Sequence, residues 1–167
     1  MLTPSSALYG ELYTPADIAE RARNILGGID LDPASDATGR SCIDAAAIFT
    51  ADDDGLSQPW HGTVWLFPPS GRPRAVWVGK LLHEYRLGRV TAALFYDAFD
   101  ARAPWFQHIA REASICFPGP LRALSEDGTL IGRSRHGALF CYLGPDAERF
   151  EAYAGDLGAV LHPRTRR

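Results

Sequence analysis

The stretch Val64-Trp65-Leu66-Phe67-Pro68-Pro69-Ser70 is a short apolar run cut off by two prolines. Its β-branched and aromatic residues read as a buried strand, and the prolines stop it because neither can donate to a sheet ladder. The chain must leave the sheet at this point. In an open α/β sheet the carboxyl edge of a strand is where ligands bind, although a plain strand followed by a proline-rich turn accounts for the run taken alone, and what surrounds Phe67, Pro68, Pro69 and Ser70 decides between the two.

A second strand tip of the same kind lies upstream. In Ile29-Asp30-Leu31-Asp32-Pro33-Ala34-Ser35, acids alternate with apolar residues at the strand period and Pro33 ends the run. Asp32 therefore sits at a strand end, where its carboxylate can accept hydrogen bonds from a ligand or cap the following turn. Residues 15–26 read as a helix, with Gly27-Gly28 as its stop. Thr14 suits an N-cap, Pro15 the first helical position and Asp17 a capping box, while Ile18, Ala22, Ile25 and Leu26 share one face. Asp52 to Gly62 reads as a polar loop leading into the Val64 strand. Its three consecutive acids lack the alternating oxygen ligands and distal Glu of a calcium loop.

Further on, residues 75–86, 104–112 and 146–153 read as helices, and residues 90–96, 114–117 and 139–143 as strands. This alternation predicts a three-layer α/β domain with a largely parallel sheet. The segment 125–137, with three glycines beside Arg133 and Arg135, reads either as a mobile DNA-reading loop or as an ordinary β-hairpin turn. One domain over residues 1–167 is expected, with residues 1–8 and 163–167 as loose ends.

Composition sets the bounds. A chain of 167 residues with 46% apolar residues can build a real core. No apolar run of about 18 residues and no basic-then-apolar leader is present, so no membrane span or signal peptide is expected. Cys42, Cys116 and Cys141 are widely spaced and read as reduced thiols, and the five histidines lack ligand spacing, so no metal is expected. The net charge of −3 is unlike that of a strongly basic nucleic-acid binder. Arginines are nonetheless clustered. Arg72 and Arg74 follow the Pro-Pro turn, and Arg133 and Arg135 lie in the glycine-containing segment, where they could clamp phosphates bidentately.

Taken together, Tyr13-Thr14-Pro15, Ile29 to Ser35, Asp53-Asp54-Gly55-Leu56-Ser57-Gln58-Pro59-Trp60, Val64-Trp65-Leu66 with Pro68-Pro69, and Trp77-Val78-Gly79-Lys80 resemble the phage-type DNA N6-adenine methyltransferase family. The likeness runs from about Tyr13 to Phe117 and more weakly to Leu143. It implies a Rossmann-like S-adenosylmethionine-dependent methyltransferase fold with a reversed edge strand near the C-terminus, a bacterial cytoplasmic setting and a phage or plasmid source. It also implies that Thr14 and Pro15 line the methionine end of the cofactor, that Asp32, Pro33, Ala34 and Ser35 form the cofactor-binding turn, and that Asp54 makes a further contact.

In that family the tetrapeptide is Asn/Asp-Pro-Pro-Tyr/Phe/Trp. The Asn or Asp oxygen and a backbone carbonyl accept hydrogen bonds from the adenine amine, and the aromatic residue stacks on the extruded base. Here Phe67 stands at the acceptor position and Ser70 at the stacking position. A phenyl ring has no acceptor. Losing a positioned transition-state partner costs roughly 100- to 1,000-fold in rate, and a lost stacking contact about 1–3 kcal/mol. The expectation is a chain that no longer methylates adenine efficiently and works by binding DNA, the cofactor or a protein partner. Two alternatives stay open: an active adenine methyltransferase in which Arg72 or Tyr96 covers the base, and a protein-interaction module whose cofactor site is vestigial.

Overall fold

The computed structural model describes residues 11–131 and 137–164. Its main sheet has seven strands. They are β1 (Leu31–Asp32), β2 (Ala47–Ile48), β3 (Gly62–Leu66), β4 (Val90–Ala98), β5 (Ser114–Cys116), β8 (Ala138–Leu143) and β9 (Val160–Leu161), in the spatial order β2-β1-β3-β4-β8-β5-β9. Strands β2, β1, β3 and β4 pair in parallel, and β8 is antiparallel to both β4 and β5. β9 closes the edge antiparallel to β5. Five strands thus run one way, and β8 and β9 run the other. The sheet is mixed and mostly parallel. The reversed edge strand is present as β9, whereas the reversed β8 inside the sheet was not anticipated. Two short strands, β6 (Ala123–Leu124) and β7 (Leu130–Ile131), form a separate hairpin. Its turn is ordinary as far as Ile131, while Arg133 and Arg135 lie outside the described residues.

Strict alternation along the long strands divides the interior in two. Trp65 on β3 and Phe67 just after it, Leu94 and Tyr96 on β4, and Phe140 and Tyr142 on β8 pack with α1 (Ala16–Leu26) and α4 (Ala147–Ala154). Val64, Leu66, Ala93, Phe95, Leu139 and Cys141 point the other way, against α2 (Arg74–Arg86) and α3 (Pro104–Ile109). Successive strand residues face opposite sides, so a strand apolar at every position must be covered on both faces. The three layers follow from that.

The helix expected over residues 104–112 ends at Ile109, with residues 110–112 forming a turn, and the start of the first helix departs from expectation as well. α1 starts at Ala16 with Pro15 as its N-cap and no side-chain cap. Thr14 is buried beside the site described below, its carbonyl accepts from the Cys42 N–H at 3.1 Å, and the Asp17 carboxylate pairs with Arg122 instead of closing a capping box. Gly27, in the left-handed region at φ 75°, ends α1 with its N–H on the Arg23 carbonyl. Asp146 does cap α4, accepting from the Arg149 N–H at 2.9 Å.

On α2, Glu84 is 1% exposed and lies between Lys80, at 2.6 Å, and Arg89. The Arg89 hydrogen bond, helped by Lys80 and opposed by burial, pulls its carboxyl from 4.5 down to about 2. A depressed carboxylate contributes stability that is complete above the unfolded value and disappears as pH falls through the folded one. The expected result is an unfolding midpoint that drops between pH 4.5 and pH 2. Urea titrations in that range should show a shallower drop for Glu84→Gln, and identical pH slopes would remove Glu84 as the cause.

Candidate functional site at the β1 and β3 strand tips

From β1 the chain steps to β2 on one side, then returns to β3 on the other side of β1 and continues outward to β4. The direction of travel reverses between β1 and β3, and a crevice at such a switch point is the default ligand site of an open α/β sheet. A cavity of about 420 Å³ opens there. Asp32 and Pro33 leave β1 into it, and Phe67 follows β3 into it.

Most residues singled out from the sequence converge on this cavity. Thr14, Asp32, Pro33, Ala34, Ser35 and Asp54 line it, and so do Phe67, Pro69, Ser70 and Arg72. Pro15 and Pro68 are buried and stand behind the lining. The N-terminal segment is held over the cavity because Tyr13 and Leu124 exchange two backbone hydrogen bonds of 2.8 Å each.

Asp32 is 3% exposed. Its Oδ1 accepts from the Ala34 N–H at 3.1 Å, which bends the turn back on itself. Burial pushes its carboxyl up to about 7, against the opposing pull of the Ala34 and Ser35 hydrogen bonds. A carboxyl in that condition has unmet demand for hydrogen-bond donors, which a ligand can supply. Next to it, Asp36 is satisfied locally. Burial is outweighed by hydrogen bonds from Thr38, Ser41 and Arg40, so its carboxyl stays below the usual range.

The acidic loop divides its labour. Asp53 Oδ2 accepts from both the N–H and the hydroxyl of Thr50 at 2.8 Å, tying the turn. Asp54 adopts φ 47°, unusual for a residue with a side chain, and its carboxylate lines the cavity 3.4 Å from Arg72 Nη2. Gly55 lies directly against the Pro33 carbonyl, so the acidic loop and the β1 turn are one packed unit.

Phe67 is not a polar group in waiting. It is 9% exposed and meets the Tyr96 ring edge-on, with centroids 5.4 Å apart. Tyr96 cannot swing over a base. It is buried, its hydroxyl donates to the Arg122 carbonyl at 3.0 Å and accepts from the Arg122 N–H at 2.9 Å, and burial pushes its phenol up to about 12. Ser70 Oγ donates to a Glu11 carboxylate oxygen at 3.4 Å.

The arginines separate. Arg72 is half-exposed at the cavity. Arg74, expected as a phosphate contact, is instead an internal brace. Its Nε and Nη2 engage the two oxygens of buried Asp97, and its Nη1 donates to the Pro69 carbonyl at 3.1 Å. A guanidinium offers a fixed fork of donors, and here the fork is spent on pinning the Pro-Pro loop to the end of β4. Burial raises the Asp97 carboxyl even with Arg74 beside it.

Sequence reasoning missed Glu11, Asp36 and Trp77 as lining residues. Trp77 carried a signal, being part of a motif already noted, but at helical spacing it reads as core. Among the described residues no group of three or more His, Cys, Asp or Glu side chains is gathered as a metal would require, and no helix is long and apolar enough to cross a membrane. Cys42 is exposed, and Cys116 and Cys141 are buried and unpaired. No family model, curated protein or solved structure matches the chain.

Proposed function

We propose that the cavity between the tips of β1 and β3 binds S-adenosylmethionine, that the fold is of the methyltransferase type, and that adenine methylation has been lost. The observation that carries this reading is convergence. Thr14, the Asp32-to-Ser35 turn and Asp54 come from three separated segments and line one cavity with Phe67, Pro69 and Ser70. A surviving cavity of this kind favours retained binding over a wholly vestigial site. The charges suit the ligand as well, since a sulfonium and an ammonium group would sit among Glu11, Asp32, Asp36, Asp52 and Asp54.

Loss of chemistry is supported by the packing of Phe67. An acceptor at that position would have to replace a ring that fills space against Tyr96, so the phenyl group is built into the core. The chain then acts by binding, with DNA or a protein as the second partner. Arg72 is the described arginine that a DNA strand at the cavity mouth would meet.

The test is a calorimetric titration of the intact chain with S-adenosylmethionine, run beside a tritium-transfer assay on mixed DNA. Saturable binding, abolished in Asp32→Ala, together with no label in adenine is the expected outcome. Robust methylation would overturn the loss of chemistry, and absence of any binding would overturn the cofactor reading.

A further inference from the structure

The cavity at the tips of β1 and β3 is ringed by carboxylates. Glu11 reaches it from the N-terminal segment, Asp32 from the tip of β1, Asp36 from the turn beyond, and Asp52 and Asp54 from the acidic loop. Arg72 is the one cationic side chain among the described lining residues, and Asp54 already lies 3.4 Å from it. The other four acids form no ion pair among the described residues. Three of them are held by neutral donors. Asp32 accepts from the Ala34 N–H, Asp36 from the N–H groups of Thr38, Arg40 and Ser41, and Glu11 from the Ser70 hydroxyl. Such bonds fix the carboxylates in place and leave their charge uncancelled.

The rest of the wall strengthens the effect. Trp65, Phe67 and Trp77 also border the cavity, and a cleft that combines charge of one sign with apolar walls concentrates the field on its occupant. Asp32, 3% exposed, acts through the least water, while the exposed acids of the loop are partly screened and add less each. S-adenosylmethionine and S-adenosylhomocysteine present the same adenosine, ammonium and carboxylate, so the cost of placing a ligand carboxylate among acids cancels between them. They differ by one methyl group and one positive charge. The sulfonium is attracted by every unpaired acid of the lining, and the neutral thioether by none.

We propose that this cavity selects its ligand by the sulfonium charge, so that the chain takes up S-adenosylmethionine and leaves the demethylated thioether unbound. The inference rests on the cofactor reading above and extends it from the presence of a ligand to the choice between two near-identical ones. Glu11, Asp32, Asp36 and Asp52 are the specificity-determining residues. A chain that only binds then follows the supply of methyl donor without being blocked by its spent form.

The experiment is a calorimetric titration of the intact chain at pH 8 and low salt, where Asp32 too is ionised. Three compounds are compared: S-adenosylmethionine, S-adenosylhomocysteine, and the neutral isostere in which a methyl-bearing carbon replaces the sulfonium. S-adenosylmethionine should bind roughly tenfold tighter than either neutral compound, and added salt should narrow that gap. In Asp52→Asn, a change at an exposed side chain, the preference should shrink by roughly two- to fivefold while affinity for the thioether stays the same. Equal affinity for the sulfonium and the thioether, or a carbon isostere that binds as well as the sulfonium, overturns charge selection and leaves the cofactor reading standing. Equal weakening of both natural compounds in Asp52→Asn overturns the role given to the lining acids. Failure of all three compounds to bind the unsubstituted chain overturns both readings. Should Asp52→Asn melt too early to titrate, the three compounds on the unsubstituted chain decide alone.

Discussion

Gly55→Ala is expected to lower the melting temperature by on the order of 10 °C and to abolish ligand binding in the cavity. A methyl group built on Gly55 would stand 1.9 Å from the Pro33 carbonyl oxygen and 3.2 Å from Phe49 Cβ. Both neighbours are rigid. The oxygen belongs to the turn that Asp32 holds through the Ala34 N–H, and the Phe49 backbone is paired with that same turn through Ser35 N–H and the Asp32 carbonyl, each at 2.9 Å. The acidic loop must therefore lift. Lifting it withdraws the Gly55 carbonyl from Trp60 Nε1, in a side chain with no exposure at all. Overpacking costs about 1–3 kcal/mol and an orphaned buried donor about 1–3 kcal/mol more, with roughly 2–4 °C for each kcal/mol in a chain of this size. Asp54 moves with the loop, so the cavity wall is lost too. Gly79→Ala is the control. It lies inside α2, where an added methyl meets nothing within 4 Å, and it should raise the melting temperature by removing helix-interior glycine. Calorimetric melts of both variants, followed by cofactor titration, check the pair. A Gly55→Ala protein as stable and as competent to bind as the parent would mean that the loop and the β1 turn are not one unit.

The features legible in the sequence are those that local chemistry enforces. Pro33 and Pro68 end strands wherever they occur, so the positions of Asp32 and Phe67 at strand tips could be read directly, and with them the place of the cavity. The double-faced apolar character of residues 64–67 announced a covered sheet. The direction of β8 was not legible, because an apolar hexapeptide has the same pattern whichever way it runs. Two-residue strands such as β2 and β9 are too short to show a period. Arg74 misled for a different reason. Its partner Asp97 lies 23 residues away at the end of another strand, and nothing local separates an arginine that will be buried from one that will meet a phosphate. Trp77 was hidden by its own virtues as a core residue: its place on the cavity wall is a property of the assembled site alone.

Asp32→Asn is expected to move stability and binding in opposite directions. The carboxyl of Asp32 is pushed from 3.8 to about 7 by burial. A raised carboxyl binds its proton more tightly in the folded chain than in the unfolded one. Its contribution to stability is therefore fully present below pH 3.8 and is lost progressively as pH rises through 7, amounting to about 4 kcal/mol across that range. At pH 8 the empty protein carries a buried charge without a counter-ion. The asparagine amide keeps an oxygen for the Ala34 N–H and removes the charge, although its NH₂ must find a partner or water in the cavity, at a cost of about 1–3 kcal/mol. The net expectation at pH 8 is a gain of several degrees in melting temperature. The parent's melting temperature should fall between pH 4 and 7 more steeply than the variant's. Binding should go the other way. On the proposed cofactor reading the ionised carboxylate accepts from ligand hydroxyls, and losing one charged acceptor costs about 1.5–3 kcal/mol, or roughly 10- to 150-fold in affinity. Affinity of the parent should rise with pH up to about 7 and then level, since ligand binding and proton release from Asp32 are linked. Melts and titrations at pH 5 and pH 8 give all four quantities. If Asp32→Asn destabilised the empty chain at pH 8 while binding stayed intact, Asp32 would be a structural turn residue and the cavity would have to hold its ligand by other groups. A gain in stability with a loss of binding is the pattern expected of a group kept at a local cost for its ligand.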